Sequence, residues 1–329
     1  MSDSAHVGSA LPQSPPPCVV IAGMHRSGTS ALGAALEALG LWAGDDHDLL
    51  EANAGNPRGY WEPRELVELD DRILSCWQAS WCNPRWRHRP RKASDLPPAL
   101  RAAMEDYGLR WRKRGKAWLW KDPRLSLTLP YWASAVEITL LIVAVRDPRE
   151  VAASLATRDG IKPQVGLVMW EAYARALLEH MRHLPHLVVD YEQLLGAPLA
   201  TLSDVANGLC GHIEGFGGDP ELAAHRIAPE LRHQVAGTGS GPPLSPAQAE
   251  LYRRLREADL EGQKSDPDEE RERLIEACLE LTERQLLLER QSSRWQSVQL
   301  ELDGLERRKA VRLMRWYDAQ RQRLRGGRS

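Results

Sequence analysis

The alternation of apolar and polar positions changes character several times along the chain. Residues 18–23 (CVVIAG) are a short apolar, β-branched run, the pattern of a buried strand. The run enters the turn MHRSG and then TSALGAALEALGL, which reads as a helix. Residues 43–62 are polar and rich in Gly, Asn and Asp, a long loop of the kind that carries function in a compact domain. EPRELVELDDRILSCW predicts a helix with Pro63 in its first turn. A Pro-containing loop over residues 81–97 leads to a helix over 98–113. KAWLWK and EITLLIVAV predict two further strands, each stopped by Asp-Pro. PREVAASLATRDG and QVGLVMWEAYARALLEHMRHL predict helices, and HLVVDYEQLL a strand running into a short helical turn. Apolar strands separated by helices predict a parallel sheet covered on both faces, a three-layer α/β/α fold.

The ends read differently. Residues 1–17 are Ser/Pro/Gly-rich, which predicts a disordered leader before an α/β domain over 18–235. AGTGSGPPLSPAQAE predicts a linker over 236–262. Beyond it, Leu274, Leu281, Leu288, Trp295 and Leu302 recur at heptad spacing. The companion positions Ala277, Arg284, Gln291, Val298 and Leu305 are only partly apolar. Residues 263–329 are therefore expected to form a helical, partly coiled-coil, locally basic tail that self-associates or packs on a partner helix.

Composition narrows the function. Lys and Arg number 43 against 45 Asp and Glu, a net charge of -2, which argues against a dedicated nucleic-acid binder. The apolar run 136–145 is too short to span a bilayer and contains Glu137. The first residues have neither the basic nor the apolar region of a signal peptide. Cys18, Cys76, Cys82, Cys210 and Cys278 are scattered without CxxC spacing. They read as reduced thiols of a cytoplasmic protein, with no disulfide framework and no zinc site. His180, His183 and His186 lie close together without a metal-ligand pattern and read as surface histidines.

Two motifs carry chemistry. Strand, GMHRSGTS, then helix is the order of an anion cradle. Gly23 and Gly28 permit a tight turn, and the amides of Ser27–Ser30 point at one anion at the helix N-terminus. The pattern differs from GxxxxGK[ST], because Thr29 stands at the lysine position and the basic residue is Arg26. In the second motif, IVAVRDPREVAAS, Arg146 leaves the strongest strand and Ser154 follows eight residues later on the next helix. An Arg fork and a hydroxyl suit one phosphate. The alternatives are an ion pair of Arg146 with Asp147 or Asp159, and an incidental Ser154.

Together the motifs resemble the 5′-phosphosulfate loop and the 3′-phosphate motif of sulfotransferases that use 3′-phosphoadenosine 5′-phosphosulfate. WKDPRLSLTLPYW and VVDYEQLL are similar to strings of bacterial members, and the resemblance spans residues 18–235. It implies that Gly23, His25, Arg26, Ser27, Gly28, Thr29 and Ser30 hold the donor's 5′ end. Arg146 and Ser154 then read its 3′-phosphate, and Tyr191 touches the adenine. The family's later Gly-rich phosphate segment has no match here, and Arg232 stands in for it. The acceptor is a hydroxyl of a carbohydrate, lipid or small metabolite. No metal is implied, since a sulfuryl group carries less charge than a phosphoryl group.

Such transfer needs in-line attack, a stabilised leaving phosphate and a base. Arg26 and the loop amides serve the leaving group, and Lys121 at its strand end serves the bridging oxygen or the acceptor side. Three candidates exist for the base: Glu62 first, placed as in related carbohydrate- and protein-modifying sulfotransferases, then Asp122, then His25. Trp42, Trp61, Trp77, Trp81 and Trp86 are candidates for an acceptor cleft. Two other functions compete. A degenerate P-loop kinase or nucleotide hydrolase would need a loop lysine and a magnesium-binding Asp. A non-catalytic nucleotide-binding assembly protein would be organised by its heptad tail.

Overall fold

The computed structural model describes residues 15–52, 56, 59–84, 92–227, 242–261, 275–295 and 297–299. Four strands, β1 (Cys18–Ala22), β2 (Trp118–Lys121), β3 (Leu140–Val145) and β4 (His186–Asp190), form one parallel sheet in the order β2-β1-β3-β4. Val19 pairs in register with Leu119 and Leu140, and Val145 with Asp190. The carboxyl ends of β1, β2 and β3 therefore lie side by side, and the residues that follow them share one edge of the sheet. The strand expectations hold: β1 and β3, central in the sheet and buried throughout, are apolar throughout, while the edge strand β4 is only partly buried over His186–Val188.

Helices α1 (Thr29–Ala38), α2 (Arg64–Ser75), α3 (Pro98–Arg112), α4 (Leu125–Trp132), α5 (Pro148–Asp159) and α6 (Pro163–Met181) carry most of the covering layers. α7 (Tyr191–Gly196), α8 (Pro198–His212), α9 (Pro220–Ala224) and α10 (Pro246–Arg256) follow. The strand period of two sorts β2 by face. Leu119 joins Leu32 and Leu36 of α1 in the main apolar core. Trp118 and Trp120 instead join an aromatic cluster with Tyr107 and Trp111 of α3 and Trp132 of α4. Leu32 and Leu36 are fully buried, which contributes about 1.5–3 kcal/mol each.

The structure departs from the sequence pattern in three places. The pattern does not predict α4, α8 or α9, and in α4 the apolar residues run all round a helix that contains Pro130. The segment expected as a linker holds α10, which packs against α6 and β4. Ser245 and Gln248 form a capping box with Pro246 at the first position, a start signal that the Gly/Pro-rich composition obscures. His180, expected at the surface, is buried and its Nε2 lies 2.9 Å from the Ser126 carbonyl.

Contacts divide the chain into Met1–Leu279 and Glu280–Ser329. Within the second unit the described residues are helical. Arg284 pairs with Glu280 at 2.7 Å, and Leu281, Leu287, Leu288 and Trp295 are exposed. Residues 1–14 of the expected leader and the whole basic end of the tail, beyond residue 299, lie outside the described residues.

Candidate active site

The loop between β1 and α1 is shaped by close approach. A Cβ on Gly23 would lie 2.7 Å from the Ala144 carbonyl of β3, and the Gly23 amide donates to Ser126 Oγ at 3.0 Å. Gly28 enters α1 at φ 88°, and a Cβ there would collide with the Tyr191 ring. Arg26 also has a positive φ of 70°. A non-glycine residue in that region costs of order 1–3 kcal/mol, and such strain clusters at ligand sites. No side chain caps α1. Its first amides, which have no partner within a helix, are therefore available to an anion at the positive end of the dipole.

The second motif folds onto the first. Arg26 Nε donates to Ser154 Oγ at 2.8 Å. Arg146 donates from Nη1 to the Arg26 carbonyl at 3.0 Å and from Nε to Glu150 Oε2 at 2.9 Å. Its guanidinium sits 4.6 Å from the centre of the Tyr191 ring. The alternative pairing of Arg146 with Asp147 is not what forms: Asp147 caps α5 by accepting from the Arg149 amide. Burial and the guanidinium groups of Arg158 and Arg146 push the Arg26 pKa down. Cations thus crowd together beside an uncapped helix N-terminus. Arg158 was not legible as a member, because a basic residue late in a helix is ordinary.

At the end of β2, Lys121 Nζ donates to Glu62 Oε1 at 2.6 Å and to Ser30 Oγ at 3.1 Å. Lys121 is 1% and Glu62 6% exposed, so neither charge is solvated by bulk water. Burial lifts the Glu62 carboxyl above the usual range, and Lys121 offsets only part of that rise. Asp122 is fully buried, and its Oδ1 accepts from the Arg124 amide at 3.0 Å and from Arg124 Nη1 at 3.1 Å. The His25 ring packs 4.8 Å from Trp81, and its enclosed Nε2 has no hydrogen-bond partner among the described residues. Burial, then Arg124, Arg158, Lys121 and Arg26, hold the His25 pKa well below the usual imidazole value.

The structure thus brings Arg26, Ser154, Arg146 and Tyr191 into one cluster and Ser30, Lys121 and Glu62 into another, joined by the first turn of α1. Arg232 lies outside the described residues. Among the described residues the expected tryptophans do not gather into one cleft, and of them Trp81 packs on His25 of the loop. Trp77 is buried and bonded to its own helix, while Trp61 donates to Glu37 at 2.8 Å. Trp42 packs against Trp111 with the rings tilted, and lines a separate cavity of about 520 Å³ with Pro63, Tyr107 and Arg110. Trp86 is not among the described residues. Asp45, His47 and Asp48 form the only grouping of metal-ligand type among the described residues, and two of the three are exposed.

A parallel sheet with a tight glycine turn and an uncapped helix start after its first strand, and a buried Lys121–Glu62 pair at the end of β2, is a fold of the P-loop-like α/β class. The chain belongs to the sulfotransferase family, whose model matches residues 17–210. The sulfotransferase domain of a Synechococcus olefin synthase is similar at 18% identity and a TM-score of 0.43, over 74% of this chain and 96% of that one. The sulfotransferase domain from the curacin biosynthetic pathway gives 16% and 0.42, over 74% and 98%. A sulfotransferase from Mycobacterium avium gives 12% and 0.49, over 76% and 79%. No curated protein sequence matches the chain. Among the described residues no helix is long and apolar enough to cross a membrane.

Proposed function

We propose that this sulfotransferase uses 3′-phosphoadenosine 5′-phosphosulfate as donor and the hydroxyl of a carbohydrate, lipid or small metabolite as acceptor. The observation that carries the donor assignment is the gathering of Arg26, Arg146 and Arg158 beside the uncapped start of α1. The 5′-phosphosulfate rests on the amides of Gly28, Thr29 and Ser30 and the hydroxyls beside them, because the Ser27 amide already donates to the Met24 carbonyl at 3.1 Å. Arg146 and Ser154 take the 3′-phosphate, and the Tyr191 ring flanks the nucleotide.

In the step itself the acceptor oxygen attacks sulfur in line. The bond from sulfur to the 5′-phosphate oxygen breaks, and adenosine 3′,5′-bisphosphate leaves. Glu62 takes the acceptor's proton. Lys121, which already touches Ser30 of the loop, neutralises the charge growing on the leaving oxygen. Glu62 is preferred to Asp122 because Asp122 is enclosed at 0% exposure and turned toward Arg124. His25 is the weaker base because its surroundings keep it from holding a proton. No metal is required by these roles.

The test is calorimetric. Adenosine 3′,5′-bisphosphate is expected to bind about ten- to a hundredfold more tightly than adenosine 5′-phosphate, the worth of one charge-assisted contact set. Equal affinities would remove the donor assignment. The exposed leucines of residues 280–299 support a second reading, self-association of the tail or its packing on a partner helix. Sedimentation of the chain with and without residues 280–329 tests it.

A further inference from the structure

Asp70 of α2 is fully buried and was not singled out by any motif. Its Oδ1 accepts from Thr128 Oγ1 at 2.7 Å and from Trp132 Nε1 at 2.8 Å, both on α4. Its Oδ2 is enclosed and has no hydrogen-bond donor. The same is true of Asp122: Oδ1 is held by Arg124, and Oδ2 is enclosed without a donor. Both Asp residues are 0% exposed, and their carboxyl groups are near enough for a hydrogen bond between them.

Two ionised carboxylates cannot face each other there, since each bare oxygen would be left unpaired and like charges would meet in a dry interior. One proton removes both problems. Placed on Asp70 Oδ2, it gives that atom a partner and supplies the missing donor to Asp122 Oδ2. Asp70 is the better carrier, because Arg124 favours the charged form of Asp122. Burial, and next the Asp122 charge, also push the Asp70 carboxyl well above its usual range.

We propose that Asp70 is a protonated positioning residue whose hydrogen bond to Asp122 locks α2 to the turn after β2. That joint matters because of what each element delivers. Glu62 stands two residues before α2, and Lys121 immediately precedes Asp122. Arg124 makes a parallel tie from the same turn to Asp71 of α2 at 2.7 Å. The Asp70–Asp122 bond sets the separation of the two elements and so holds Lys121 against Glu62. A misplacement of about 1 Å at a reacting group costs on the order of a hundredfold in rate. The positioning part of this inference rests on the sulfuryl-transfer reading above, whereas the shared proton does not.

The experiment compares Asp70→Asn with Asp70→Ala in the full chain. Asn keeps an acceptor for Thr128 and Trp132 and offers a permanent N–H to Asp122. Asp70→Asn is therefore expected to keep turnover near wild type, while Asp70→Ala lowers kcat by about ten- to a hundredfold with donor affinity and acceptor KM little changed. Asp70→Leu, close in volume and without polar atoms, replaces the Ala variant if that one does not fold. Infrared difference spectra of wild type against Asp70→Asn, without ligands, read the proton directly. Wild type should show a protonated-carboxyl stretch at neutral pH that the variant lacks. An unchanged spectrum, or an Asn variant as impaired as Ala, overturns the shared proton. Full kcat in the Ala or Leu variant overturns the positioning role. If wild type itself transfers no sulfuryl group, the infrared result still decides the pair, and only the sulfuryl-transfer reading fails.

Discussion

Arg26 Nε donates to Ser154 Oγ at 2.8 Å, across 128 positions of sequence. The bond fastens the loop after β1 to the helix of the second motif, so the two ends of the proposed donor site are not independent. Arg146 reinforces the clasp through the Arg26 carbonyl.

Arg26→Ala should therefore weaken donor affinity by about ten- to a hundredfold and lower turnover with it, because the group serves the bound donor and the transition state alike. Ser154→Ala should weaken donor affinity less and leave the fold intact. Titration calorimetry with adenosine 3′,5′-bisphosphate measures both. An Arg26→Ala variant with wild-type affinity would place the donor elsewhere.

The Lys121–Glu62 pair predicts a split between binding and catalysis. Glu62→Gln should reduce kcat by about 10²–10⁴-fold, the usual worth of a general base, with donor affinity near wild type. Lys121→Ala should reduce kcat as well and also destabilise the protein by about 3–5 kcal/mol, since it strands a buried carboxyl. Urea unfolding separates that loss from the kinetic effect. Near-full turnover in Glu62→Gln together with a dead Asp122→Asn would transfer the base to Asp122.

Two pH effects follow from burial. Glu62 protonates at higher pH than an ordinary Glu, so kcat should fall on an acid limb lying above the usual value of 4.5. A limb at or below that value would argue against Glu62. The second effect is on stability. Unfolded, His25 accepts a proton near 6.5, while folded, among Arg124, Arg158, Lys121 and Arg26, it resists protonation. Acidification below that point adds protons to the unfolded chain alone and weakens the fold. Denaturant midpoints should therefore drop less on acidification in His25→Gln than in wild type.

The helix within the expected linker gives a truncation test. Leu251 and Leu255 are buried, and Arg256 pairs with Asp190 at 2.8 Å, so α10 belongs to the catalytic unit. A chain ending before Ser245 should lose about 3–6 kcal/mol from the two leucines. One ending at Leu279 should keep its melting temperature and donor affinity. Equal stability of the two, read by circular dichroism, would return α10 to a linker role.

The four strands and the two motifs were legible in the sequence because each depends on local chemistry. An all-apolar run reads as a buried parallel strand, and a glycine-flanked turn before a helix reads as an anion site. Glu62 and Lys121 were legible as separate candidates, each at the boundary of an element. Their pairing was not, because nothing local relates positions 59 apart. α10 was missed because Gly and Pro composition outweighed a capping box that was present.

By itself the sequence determined the α/β class, the strand–turn–helix cradle and the identity of the groups available for chemistry. Periodicity and turn residues express backbone preferences that act within a few positions. Only the tertiary structure decided which charges share a dry interior. Parallel pairing of β1 with β2 and β3 brings Ala22, Lys121 and Val145 to one sheet edge, and with them the loop, the lysine and Arg146. Burial then sets the states of Glu62, Asp70 and His25, because the cost of a charge depends on what surrounds it in space and not on its neighbours in the chain.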